Sequence, residues 1–279
     1  MPIHDQGYRR YGGEKARGGT GWIVITRAGI RTFLAKRAFL GLLLVAWFPF
    51  FVRAVQIYAA ANLPQAAFLA PKPETFRQFL DQQQIFVFFV TVYVGAGLIA
   101  NDRRANALQI YLSKPLTRAE YVFGKLAILV TFLLLVTWLP AIVLLIVQIS
   151  FAGNFTFFRA NLFLFPAITV ASLLQVLLAT FTMLALSSLS NSSRYVGILY
   201  AAVIFFTQAI YGVLYAVTRS TSLSWISFSA NLTQVGDVIF RQPLKYDTPW
   251  PVSLMMIVGL IALSGVVLER RVRGVEVVA

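Results

Sequence analysis

Six apolar runs, each close to twenty residues, dominate this chain, at about 38–58, 83–100, 124–149, 162–186, 196–217 and 252–268. A helix rises ~1.5 Å per residue, so crossing ~30 Å of hydrocarbon takes about 20 apolar residues. Backbone N–H and C=O groups find no water there, which leaves helices or closed barrels as the spanning structures. Runs of this length predict helices. With 58% hydrophobic residues, 12% charged and a mean hydropathy of +0.75, the chain has too little charge to cover a soluble surface of its size. The expected fold is all-α: a polytopic membrane protein with six transmembrane helices. Residues 1–21 read as a flexible cytoplasmic tail and 22–279 as a single membrane domain. Pro140 is expected to kink the third run.

The net charge of +14 is distributed unevenly. Seventeen of the 24 lysines and arginines fall on one side of the six-span topology and seven on the other. The positive-inside rule therefore places both termini in the cytoplasm. Basic residues avoid the apolar runs and gather between them, as suits anionic membrane lipids rather than nucleic acid. The first run follows a polar start and is longer than a signal-peptide core, so it reads as a retained anchor.

Several chemistries are argued against. There is no cysteine, and the one histidine, His4, stands in the polar N-terminal tail. Within the apolar runs no Asp, Glu or His lies away from the ends, whereas carriers coupled to protons or sodium bury such groups near the midplane. No residue is expected to be catalytic or metal-ligating, and no cofactor is expected on this chain. Uncharged polar groups do occur in the runs: Thr91, Tyr93, Ser172, Gln175, Thr180, Thr207, Gln208 and Tyr211. They suit either interhelical hydrogen bonds or a weakly polar path.

The connection after the second run carries the most information. Asp102 is a candidate N-cap for a helix from Arg103 to Ser113, on which Leu108, Tyr111 and Leu112 share a face. Pro115 ends that helix. Thr117 and Glu120 then form a capping-box pattern that starts the third span, with Leu116 before the cap. Apolar residues on a short cytosolic helix need a partner surface or the lipid interface.

The stretch Leu112-Ser113-Lys114-Pro115-Leu116-Thr117-Arg118-Ala119-Glu120, followed by Gly124-Lys125, resembles the loop between spans two and three of type-2 ATP-binding-cassette (ABC) permeases. In that family the loop forms a coupling helix that docks on a separate ATPase subunit. The family's glutamate and glycine-threonine pair after span two are replaced here by Asn101-Asp102 and Ala105-Asn106-Ala107. Residues 22–37, with Trp22, Ile23, Ile30, Phe33 and Leu34 on one arc, look like the family's N-terminal interfacial elbow helix. The stripe Phe228, Leu232, Val235 and Ile239 is similar to the short re-entrant or interfacial helix before the family's last span.

The resemblance implies a permease subunit of an ABC transporter, an exporter, in a bacterial inner membrane. Arg103, Arg104, Leu108, Tyr111, Leu112 and Arg194 would meet the ATPase subunit. Spans two and five, with Thr91, Tyr93, Thr207, Gln208 and Tyr211, would line a path formed with a second permease copy. ATP and Mg would sit on the partner, because Gly124-Lys125-Leu126 lacks the upstream glycine and the Ser/Thr of a phosphate loop. The rival reading is a non-transporting membrane scaffold or assembly factor.

Overall fold

The computed structural model describes residues 20–107, 116–152 and 156–272. It contains six helices long and apolar enough to cross a membrane: Arg37–Asn62, Pro73–Arg104, Arg118–Phe151, Leu164–Leu189, Ser193–Thr218 and Trp250–Arg271. No strand occurs among the described residues. A helix α1 (Gly21–Leu34) precedes the first span, and Gly21 already belongs to it rather than to the expected tail. Residues 1–19 of that tail lie outside the described residues, as do Leu108, Tyr111 and Leu112 of the expected coupling helix.

Three of the six spans, the fourth, fifth and sixth, are unbroken. The first divides into α2 (Arg37–Ala46) and α3 (Phe48–Asn62), with Pro49 in the first turn of α3. The third divides into α6 (Arg118–Val136) and α7 (Trp138–Ala152), ahead of Pro140 as the sequence led us to expect, and the short α8 (Thr156–Ala160) follows it. Proline has no N–H for the carbonyl four residues back, so each helix gives way just before its proline.

The second span starts about ten residues earlier than its apolar run suggested. It runs as α4 (Pro73–Val90), widens into a π-turn at Thr91–Gly95, and resumes as α5 (Ala100–Arg104). Backbone groups freed at that break are taken up by Ser187 of the fourth span, α9 (Leu164–Leu189). Its hydroxyl accepts from the N–H groups of Ile99 (3.2 Å) and Ala100 (3.0 Å) and donates to the Ala96 carbonyl (2.9 Å). One donor and two acceptors exhaust a serine. This is how an irregular segment survives among spans: a neighbouring side chain replaces the missing ladder.

Burial sorts the spans into layers. Over half of the apolar window of the second span (56%) is buried, against 17% in the fifth, α10 (Ser193–Thr218), and 22% in the first and sixth. Spans two, three and four are therefore the core, and the fifth keeps a broad apolar face uncovered. One core cluster gathers Phe39, Val94, Ile99, Phe132, Met183 and Leu268. A second, around Phe50, Phe76, Phe79, Ile168 and Phe240, fills the opposite half. The half with Leu268 also holds α1 and the basic connection between spans two and three, and is called the basic end below.

At the opposite end the structure corrects the expectation that the spans are free of carboxylates. Because the second span begins at Pro73, it carries Arg77 and Asp81. Arg77 is buried; it donates to Asp81 (2.5 Å), to Asp237 (3.0 Å) and to the Thr233 carbonyl (3.0 Å). Asp237 and Thr233 belong to α11 (Phe228–Ile239), the helix read from the Phe228 stripe. Seven of its 12 residues are buried among the spans, so α11 is inserted in the bundle rather than laid on its surface. Burial pushes the Asp237 carboxyl upward, against the pull of Arg77. Gln234 fastens the following loop, donating to the carbonyls of Tyr246 (2.9 Å) and Thr248 (2.7 Å). Arg53, in the last third of the first apolar run, reaches the side-chain carbonyls of Gln56 (3.2 Å) and Gln78 (3.4 Å).

Candidate functional site

The capping box at the start of α6 forms as expected. Glu120 N–H donates to the Thr117 hydroxyl (3.2 Å), and Thr117 N–H donates to Glu120 Oε2 (2.9 Å). The other carboxylate oxygen, Oε1, accepts from Gly21 N–H (3.3 Å), so the same glutamate ties α1 to the third span. Both helices are glycine-notched where they meet. A Cβ at Gly29 would overlap Ile128, and one at Gly124 would press on Ile25 and the Trp22 carbonyl. Small residues let helix backbones approach closely. The face of α1 turned to the bundle therefore carries Ile25, Ile30 and Phe33. Trp22, Ile23 and Leu34, which the sequence grouped with Ile30 and Phe33 on one arc, stay exposed.

Asp102 is not an N-cap. It lies inside α5, where its carboxylate accepts from the Tyr121 hydroxyl (2.7 Å) and pairs with Lys125 Nζ (2.7 Å). A carboxylate engaged by a lysine and a phenol is not free to cap. The helix through Asp102 stops at Arg104, and Asn106 turns left-handed (φ 51°), so no single helix runs from Arg103 to Ser113. Lys125, at the start of the third apolar run, is buried, with its ammonium 5.5 Å from the centre of the Tyr121 ring. The pair bolts the end of the second span to the start of the third. Its sequence signal is modest: Asp102 is the one carboxylate between Asp81 and Glu120, and Tyr121 and Lys125 are one helical turn apart.

Arg103 donates from its guanidinium to the Ser188 carbonyl at the end of the fourth span. A cation at a helix C-terminus also meets the negative end of the helix dipole. Arg104 and Arg194 are exposed at the same end. The basic end thus brings together Arg103, Arg104 and Arg194, while Leu108, Tyr111 and Leu112 lie outside the described residues.

The residues expected to line a path do not form one group. Thr91 is fully buried at the π-turn, where its hydroxyl faces that of Tyr200 on the fifth span. Tyr93 is partly exposed and stacks on Phe39, ring centres 5.4 Å apart. Thr207, Gln208 and Tyr211 instead hold α11 and its loop. Gln208 accepts from the Ser227 hydroxyl (2.5 Å), Thr207 from Phe228 N–H (3.4 Å), and Tyr211 meets Tyr246 edge-on. Ser172 and Thr180 are buried with unpartnered hydroxyls among the described residues, so not every polar group in the spans serves an interhelical bond.

Beside the Asp102–Lys125 pair opens a groove of about 1020 Å³, walled by α1, the π-turn of the second span, the start of α6 and the first turns of α10. No group of three or more His, Cys, Asp or Glu residues that could hold a metal comes together among the described residues. No family model matches the chain, and no curated protein matches it.

Proposed function

We propose that the chain is the permease subunit of an ABC transporter, an exporter worked by a separate ATPase subunit and paired with a second permease copy. The reading rests on the basic end. Three bonds bind α1 and the ends of spans two, three and four into one unit: Glu120 to Gly21, Asp102 to Lys125, and Arg103 to Ser188. Residues 108–115 join Ala107 to Leu116, the described residues on either side of them. A force applied to that segment would therefore reach three spans at once. Rigid, hydrogen-bonded elements are what can carry such a displacement.

The thinly buried fifth span supports a path between two copies. Phe205, Phe206, Val213 and Val217 stand on its uncovered surface. Both termini would lie in the cytoplasm, with the basic end facing the ATPase, which would hold ATP and Mg. The alternative, a scaffold using the same end to gather partners, requires no turnover of ATP. In vesicles holding the chain and its ATPase partner, ATP should drive substrate movement in the presence of an uncoupler. ATP turnover without movement would favour the scaffold.

A further inference from the structure

We infer that the groove between α1 and the fifth span binds an anionic lipid, its headgroup between Lys36 and Arg194 and its chain along the apolar wall. The wall is built by Ile25 and Phe33 of α1, Phe88 and Val92 of the second span, and Ile198 and Ala201 of the fifth. At about 1020 Å³, the space lies at the upper end of the range for small-molecule sites. Four charged groups line it: Lys36, Asp102, Lys125 and Arg194. Asp102 and Lys125 neutralise each other at 2.7 Å. Lys36 and Arg194 make no ion pair among the described residues, and Lys36 Nζ stands 5.0 Å from the centre of the Phe33 ring.

This pairing of surfaces selects the ligand. A free anion would meet the two cations and leave the apolar wall wet, while a purely apolar occupant would press hydrocarbon against two unpaired charges. An amphiphile with an anionic head satisfies both. The outer face of α1 identifies its source as the membrane. Trp22 and Ile23 are exposed beside Arg27 and Arg31, the arrangement of a helix lying at headgroup level. The inference does not depend on the transport reading, and its test contains no ATPase.

The full chain, purified in detergent and offered equal amounts of phosphatidylglycerol and phosphatidylcholine, is examined by native mass spectrometry. One phosphatidylglycerol per chain should be retained, with a preference of roughly 30-fold, the effect of two surface cations on an anionic lipid. Lys36→Gln with Arg194→Gln should bring the preference close to parity. Arg27→Gln with Arg31→Gln removes the same charge from outside the groove and should leave the preference intact, as should the charge-conserving pair Lys36→Arg with Arg194→Lys. Excess inorganic phosphate should not displace the lipid. Equal retention of the two lipids would overturn the inference, as would a Lys36/Arg194 variant that still prefers phosphatidylglycerol. Displacement by phosphate alone, or a lipid-free dimer closed over this face, would overturn it too.

Discussion

Asp102 shows how much one carboxylate can organise in a chain with ten acidic residues among 279. Removing one partner of a buried ion pair leaves the other charge without compensation, at a cost of about 3–5 kcal/mol. Lys125→Met should therefore lower the stability of the detergent-solubilised protein by about 3 kcal/mol, the smaller end because Asp102 keeps some exposure. Adding Asp102→Asn should restore most of that loss, since neither charge then remains. A double-mutant cycle on the unfolding midpoint gives the coupling, and additive effects would show that the pair does not act as a unit. Arg77 is seated in a similar way. A Cβ on Gly236 would stand 2.8 Å from its guanidinium, so Gly236→Ala should destabilise α11 against the second span by about 1–3 kcal/mol, read from the same unfolding midpoint. The Asp102–Lys125 pair left only a modest trace in the sequence, and the Arg77–Asp237 pair left none. Hydropathy records that a residue is charged, but the partner of Arg77 lies 160 positions away.

The elements divide by the kind of signal that specifies them. All six spans, the capping box at Thr117 and the stripe of α11 follow from local pattern: run length, side-chain chemistry at fixed offsets, and period. The breaks at Pro49 and Pro140 are equally local, although only the second was anticipated. The bend in the second span is different, because a serine on another helix completes its bonding. Ser187→Ala should leave the N–H groups of Ile99 and Ala100 and the Ala96 carbonyl without that partner, costing about 1–3 kcal/mol. Hydrogen exchange should then quicken at Ile99 and Ala100, with the amides of the fourth span unchanged. Protection at Ile99 and Ala100 equal to the parent's would mean that the bend holds itself. The inner face of α1 is likewise specified by a neighbouring helix. An apolar stripe counts large side chains, whereas this helix docks through Gly21 and Gly29, where small size matters, and sets Ile25 against Gly124 of α6.

At the scale of the whole molecule, the account is of a braced basic end, a core of three spans, and an outer layer with an uncovered fifth span. The chain has no cysteine, so single reporters can be placed at will. Ala105→Cys and Ser222→Cys, both at exposed positions, should react with a membrane-impermeant thiol reagent from opposite faces of the membrane. The basic asymmetry predicts that Ala105→Cys is the cytoplasmic one. Reaction of both from one face would remove the six-span topology. Why the basic end is braced is the central claim, and Leu108 and Leu112 test it, since their apolar face has no evident reason to exist unless a partner covers it. The chain is purified from its own membranes, and the ATP hydrolysis that accompanies it is measured for the parent, for Leu108→Asp with Leu112→Asp, and for the control Gln109→Asp. The account predicts that ATPase activity accompanies the parent and the control. The double variant should insert and purify normally while losing its partner, with affinity down about 30- to 1,000-fold for an interface loss of ~2–4 kcal/mol. A double variant that retains its ATPase in full, or a parent that carries no ATP hydrolysis at all, would contradict it.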